Sequence, residues 1–188
     1  MIGENRLVVA LPWAEFDRSA APFVEIDPGG AFGAGTHPTT HLLLDALGTR
    51  LRGGETVLDV GCGSGVLAIA ALRLGSAAAV GIDLEPAAVT ATRANAERNG
   101  LGPQLTAATT PLSEVDGMFD VVLANIGLHV LTDLAPDLER VLAPAGWLGL
   151  SGISAAQTSR LSAALPSIPV WTTHQLDDWA ALIGKRVG

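Results

Sequence analysis

Three glycines alternate in "LDVGCGSG" (58–65): Gly61, Gly63 and Gly65 follow an apolar run and precede a helical one. Glycine in a strand-to-helix turn permits tight backbone geometry and lets a ligand approach the chain, while the helix start offers free N–H groups. Asp83 closes the next apolar run, 22 residues after Gly61. An acid at that separation can accept hydrogen bonds from ribose hydroxyls, so loop and acid together predict a site for an adenosine-type ligand. A nicotinamide dinucleotide would use similar parts. The spacing here, however, is G-x-G-x-G, whereas the dinucleotide fingerprint is G-x-G-x-x-G. Asp59 also stands two residues ahead of the loop. A carboxylate there is unfavourable beside a pyrophosphate and favourable beside a sulfonium or amine, which leans toward S-adenosyl-L-methionine.

These residues need a frame that holds loop and acid at one end of a sheet. Seven strand-like runs supply it: 56–60, 78–82, 104–108, 119–125, 147–153, 169–176 and 178–186. Helical patterns lie in four of the five gaps between the first six, at 66–75, from Pro86 to Asn99-Gly100, at 129–142 with an entry or bend near Pro136, and at 155–165. Alternating strands and helices predict a doubly wound α/β fold with a mostly parallel sheet covered on both faces. The last two runs have only Asp177 and its neighbours between them. That is too little for a crossover, so an antiparallel C-terminal hairpin is expected.

The chain of 188 residues suits one domain with one sizeable core. Apolar residues make up 48% and charged ones 16%, a composition of large buried elements. No apolar run approaches the ~20 residues of a membrane helix. "LVVALP" lacks the basic flank and cleavage site of an export signal. One cysteine, Cys62, excludes an internal disulfide and a multi-cysteine metal site, and a cytoplasmic setting is expected. Net charge is −8, with one lysine, Lys185, and scattered arginines. Direct nucleic-acid binding is therefore not expected, because neutralising phosphates takes clustered cations.

The runs "DPGGAFGAGTHPTT" (27–40), "VLDVGCGSGVLAIAALRLG", "GIDLEPAAVTATRANAERNG", "FDVVLANI" and "LERVLAPAGWLGLSGI" resemble the PrmA family of ribosomal protein methyltransferases, from about Leu7 to Arg186. "AFGAGTHPTT" is the specific part, since G-x-G-x-G is shared by many methyltransferases. The resemblance implies a class I S-adenosyl-L-methionine-dependent methyltransferase with a Rossmann-like sheet, acting on amino groups of a protein substrate, a ribosomal protein. It implies cofactor contacts at Thr40, Gly61, Asp83 and Asn125, with Gly63 and Gly65 of the loop and Phe32, Gly35 and Thr36 of the glycine-rich segment as further contacts. Asn125 would position the nucleophile, and His129 is a candidate proton acceptor. Residues 1–38 would form an N-terminal segment and glycine-rich lid, and 39–188 the core. The family's N-terminal substrate-recognition domain is expected to be absent. The loop after the fourth strand reads "NIGLHV" (125–130) where the family has "NILA".

Each candidate also has a structural reading. Asn125 could cap the helix that follows it, and His129 could be an exposed residue at a helix start. Cys62 reads as a small loop residue with no assignable histidine partner. His37 and His41 have a spacing that suits two metal ligands on one helix, but no glutamate lies between them and no metal site is expected. Trp147 reads as core and Trp13 as a possible pocket wall. Two other functions stay open: an NAD-dependent oxidoreductase, and a cofactor-binding partner subunit without its own acceptor site.

Overall fold

The structure is a computed structural model and describes residues 7–17, 19, 21–28 and 35–186. Two short strands, β1 (Val8–Ala10) and β2 (Phe23–Glu25), pair in parallel ahead of the main sheet. Helix α1 (Pro38–Arg50) follows, then β3 (Thr56–Val60), α2 (Val66–Arg73), β4 (Ala78–Ile82), α3 (Pro86–Arg98) and β5 (Leu105–Ala108). Next come β6 (Phe119–Asn125), α4 (Leu128–Asp133), α5 (Ala135–Arg140), β7 (Leu142–Ser154), α6 (Thr158–Ala163), β8 (Val170–Leu176) and β9 (Trp179–Lys185).

The seven main strands run in the order β5-β4-β3-β6-β7-β9-β8. The first five are parallel, and β9 lies antiparallel between β7 and β8. The doubly wound sheet with its antiparallel C-terminal hairpin is thus observed. The hairpin turns at Asp177, which takes a positive φ of 54°.

Neighbouring residues of one strand face opposite layers, as a parallel sheet covered on both sides requires. Val57 belongs to the core layer that α1, α2 and α3 share, while Leu58 belongs to the layer of α4, α5 and α6. Pro86 starts α3 where its missing N–H costs nothing. Pro136 has a sharper effect. It removes a helical N–H, and the helix expected over 129–142 divides at Leu134 into α4 and α5. The strand expected over 147–153 begins earlier, because Leu142 already pairs with Phe119.

The order places β3 in the centre, with β4 on one side and β6 on the other. Successive connections therefore diverge at the carboxyl ends of β3 and β6. In open parallel sheets that crevice is where ligands collect.

Candidate active site

A cavity of about 770 Å³ opens at this switch point, and its wall includes Thr40, Asp59, Gly61, Gly63, Asp83 and Asn125. Five of these are predicted cofactor contacts, drawn from four separate segments of the chain. Asp59 is the acid flagged ahead of the loop.

Gly61 has a φ of 72°, and a Cβ there would lie 2.6 Å from Ile126 Cγ2. Only glycine fits both the turn and that contact. The Gly63 N–H donates to Asp83 Oδ2 at 3.0 Å, and the Glu85 N–H donates to Asp83 Oδ1, also at 3.0 Å. Asp83 thus ties the glycine loop to the start of α3. Gly65 has a different role: it precedes α2 in a left-handed conformation and packs on Thr92, outside the cavity wall.

Asp59 is 1% exposed. Its Oδ2 accepts from the Ala68 N–H at 3.2 Å in the first turn of α2, whereas its Oδ1 is buried with no hydrogen-bond partner among the described residues. Burial, with the Asp83 charge adding to it, pushes the carboxyl pKa up to about 7. Burial also pushes the Cys62 thiol up to about 12, with the charge of Asp59 contributing. The thiol stays neutral at physiological pH, which removes Cys62 as a thiolate nucleophile.

Across the cavity, the Asn125 side-chain N–H donates to Thr40 Oγ1 at 3.1 Å. Thr40 sits in the first turn of α1, whose cap is His37: its Nδ1 accepts from the Thr39 N–H at 3.4 Å, and its ring meets Trp179 edge-on at 4.8 Å. The hydrogen bond joins the segment ahead of the core to the carboxyl end of β6.

The remaining candidates lie elsewhere. Gly35, with a φ of 82°, is buried where an added Cβ would meet Val9 and Val66, and Thr36 is exposed; neither is in the cavity wall. Phe32 and the middle of the expected lid fall outside the described residues. His129 points to solvent and pairs with Asp133 at 3.0 Å, outside the cavity wall. Trp147 packs partly buried against the core, while Trp13 is exposed and away from the wall.

A profile of the family described as ribosomal protein L11 methyltransferase (PrmA) matches residues 2–187. The chain belongs to the ribosomal protein L11 methyltransferase family. The protein of that name from Pasteurella multocida (strain Pm70) is 43% identical over 182 residues, covering 96% of this chain and 62% of the relative. The chain therefore spans about 62% of the length of this curated relative. A crystal structure of ribosomal protein L11 methylase from Lactobacillus delbrueckii subsp. bulgaricus superposes with a TM-score of 0.89 at 33% identity, over 97% of this chain and 95% of that one. An RNA methyltransferase from Salinibacter ruber, in complex with S-adenosyl-L-homocysteine, has a TM-score of 0.56 at 21% identity, over 71% and 81% of the two chains. At that distance the likeness speaks only for the shared fold. With the strand order above, these likenesses give a class I methyltransferase fold.

The cavity of this family member also has walls that the motifs did not announce: Leu84, Thr110, Leu112, Ile126, Val130 and Asp137. Asn95 was missed too. This 1%-exposed side chain donates to the Ser64 and Asp27 carbonyls, both at 2.9 Å, and accepts from the Asp27 N–H at 2.9 Å. One turn on, Asn99 holds the Glu25 N–H at 2.9 Å and its carbonyl at 2.8 Å. Together the two amides fasten β2 and the residues after it to α3 and the glycine loop. Helical spacing could have exposed them: Val89, Thr92, Asn95 and Ala96 share the buried stripe of α3, where a polar side chain must find partners, and the half-buried Asn99 caps its end four residues after Asn95.

Proposed function

We propose that this chain binds S-adenosyl-L-methionine and methylates amino groups of a protein, with ribosomal protein L11 as the substrate its relatives' name suggests. That substrate would put the reaction in the cytoplasm. Among the described residues no helix is long and apolar enough to cross a membrane.

One observation carries the reading. The buried, unpartnered Oδ1 of Asp59 belongs to the same cavity wall as Gly61, Gly63 and Asp83. Leaving a carboxylate oxygen buried and unpaired is costly, and a cationic ligand group offsets that cost. A nicotinamide dinucleotide would bring phosphates to this acid, and the family match gives that alternative no support.

The residues of the chain divide the work. Gly61 and Gly63 keep the wall free of side chains, and Asp83 can accept from ribose hydroxyls through lone pairs not used by Gly63 and Glu85. When bound, the cofactor supplies a methyl group already activated on a sulfonium. The protein's main task is then alignment of the acceptor amine and exclusion of water. Asn125 suits the first part. Its amide nitrogen is committed to Thr40, so its Oδ1 is available to accept an N–H from the incoming amine. His129 remains the candidate proton acceptor, held by Asp133 outside the cavity wall.

Calorimetric titration tests the cofactor half. Binding of S-adenosyl-L-homocysteine with no heat from NAD is expected; the reverse pattern would remove the methyltransferase reading. Tight cofactor binding without methyl transfer to any protein would favour the partner-subunit alternative.

A further inference from the structure

Strand β7 carries an extra residue where it faces β9: Leu150 pairs with Leu182, but Ile153 pairs with Ala180. Three steps along β7 match two along β9, which defines a bulge over Ser151 and Gly152. Ser151 keeps its place on both sides. It pairs with Asn125 of β6, and its hydroxyl donates to the Ala180 carbonyl at 2.9 Å. Gly152 is left with a φ of 86°, turned toward the chain that leaves β6. A Cβ at Gly152 would stand 2.5 Å from the Ile126 carbonyl oxygen, 2.8 Å from its carbon and 2.9 Å from its nitrogen. The backbone just after Asn125 thus rests directly on this glycine.

The same residue is held from the other side. The Ile126 side chain fills the space over Gly61, where a Cβ would approach it to 2.6 Å. Ile126 is therefore seated between a glycine of the cofactor loop and a glycine of the β7 bulge. One contact is to its backbone and the other to its side chain. Since the Asn125–Ile126 peptide leads straight out of this seat, its position sets where the Asn125 amide can reach Thr40.

We infer that Gly152 is a positioning residue for Asn125, acting through the Ile126 backbone. Accepting an amine requires a near-attack geometry, and a displacement of about 1 Å can cost roughly 100-fold in rate. Adding one methyl group at Gly152 forces such a displacement, because the atoms it meets are backbone. The inference rests on the proposed role of Asn125 toward the acceptor.

Gly152→Ala and Gly117→Ala form a matched pair. Gly117 has a φ of 87° but open space where its Cβ would go, so it imposes similar backbone strain without the contact. Expected for Gly152→Ala is a kcat for methyl transfer lowered roughly 10- to 100-fold, with affinity for S-adenosyl-L-homocysteine within about threefold of the parent. Gly117→Ala should leave both unchanged. The side-chain amide resonance of Asn125, assigned by its loss in Asn125→Asp, should shift in Gly152→Ala and not in Gly117→Ala. An unshifted resonance, or a kcat equal to that of Gly117→Ala, overturns the inference; so does a parallel loss of cofactor affinity. If the parent transfers no methyl group, the functional reading fails, while the resonance still decides whether Gly152 positions Asn125. Should Gly152→Ala not fold, Ile126→Ala releases the seat from the Gly61 side and must shift the same resonance.

Discussion

Asn125 and Thr40 lie 85 residues apart in the chain and meet through a hydrogen bond of 3.1 Å at the cavity. The direction of that bond fixes which end of the Asn125 amide is left for a ligand. Thr40 in turn is placed by the start of α1, so a loop-to-helix junction ahead of the sheet becomes part of the cavity wall.

Thr40→Val keeps the shape of the side chain and removes the acceptor. It should lower kcat for methyl transfer about 5-fold, in line with a lost hydrogen bond of about 1 kcal/mol, with little change in S-adenosyl-L-homocysteine affinity. Asn125→Ala should cost more, roughly 100-fold. Steady-state kinetics beside calorimetry separates the two effects, and an equal fall in affinity would argue against a positioning role.

Asp83→Ala removes the proposed ribose acceptor together with the partner of the Gly63 N–H. Affinity for S-adenosyl-L-homocysteine should weaken by about 1–3 kcal/mol. Unchanged affinity in the titration would reject the role.

Asp59 gives the site a pH dependence. Its folded-state pKa of about 7 lies above the unfolded value, about 3.9. The native state therefore holds this proton more tightly, and the contribution to stability is full below about pH 4, declines as pH rises toward about 7 and is flat above. Ligand binding has the opposite trend. A cationic group favours the carboxylate, so affinity for S-adenosyl-L-methionine should rise by up to about tenfold per pH unit below about pH 7 and then level off. Asp59→Asn should flatten both profiles, measured by titration and by urea unfolding across pH 5 to 8.

Asn95→Ala removes three hydrogen bonds, two to backbone carbonyls and one from a backbone N–H. Stability should fall by about 2–4 kcal/mol, read from urea unfolding. Asn95→Asp should not recover it, because a carboxylate oxygen in place of the amide nitrogen would face the Asp27 and Ser64 carbonyls with no proton to donate.

The main frame was legible because it depends on period and punctuation. Val57 and Leu58 both sit in an apolar run that a two-sided parallel strand requires, and Pro86 and Asn99-Gly100 mark the ends of α3. The lone Asp177 between two strand-like runs was enough to give the hairpin. The short pair β1–β2 left no comparable signal: three residues per strand show no period, and their hold on the molecule comes from Asn95 and Asn99, some 70 positions later. At the site, Gly61, Gly63 and Asp83 were legible as a local motif, and Thr40 and Asn125 through family resemblance. Ile126 and Gly152 were not, because their meeting depends on a bulge in the register of β7 against β9. Gly35, Thr36 and Gly65 share the motifs of true wall residues, but their positions turn them toward packing or solvent instead.

The central claim is methyl transfer to a protein amine. Its most direct test is incubation of the purified chain with radiolabelled S-adenosyl-L-methionine and purified ribosomal protein L11, followed by mapping of the label. The account predicts label on L11 amino groups, appearing roughly 100-fold more slowly with Asn125→Ala and suppressed by S-adenosyl-L-homocysteine. A folded chain that binds S-adenosyl-L-homocysteine yet leaves L11 and every protein of a bacterial lysate unlabelled would contradict it.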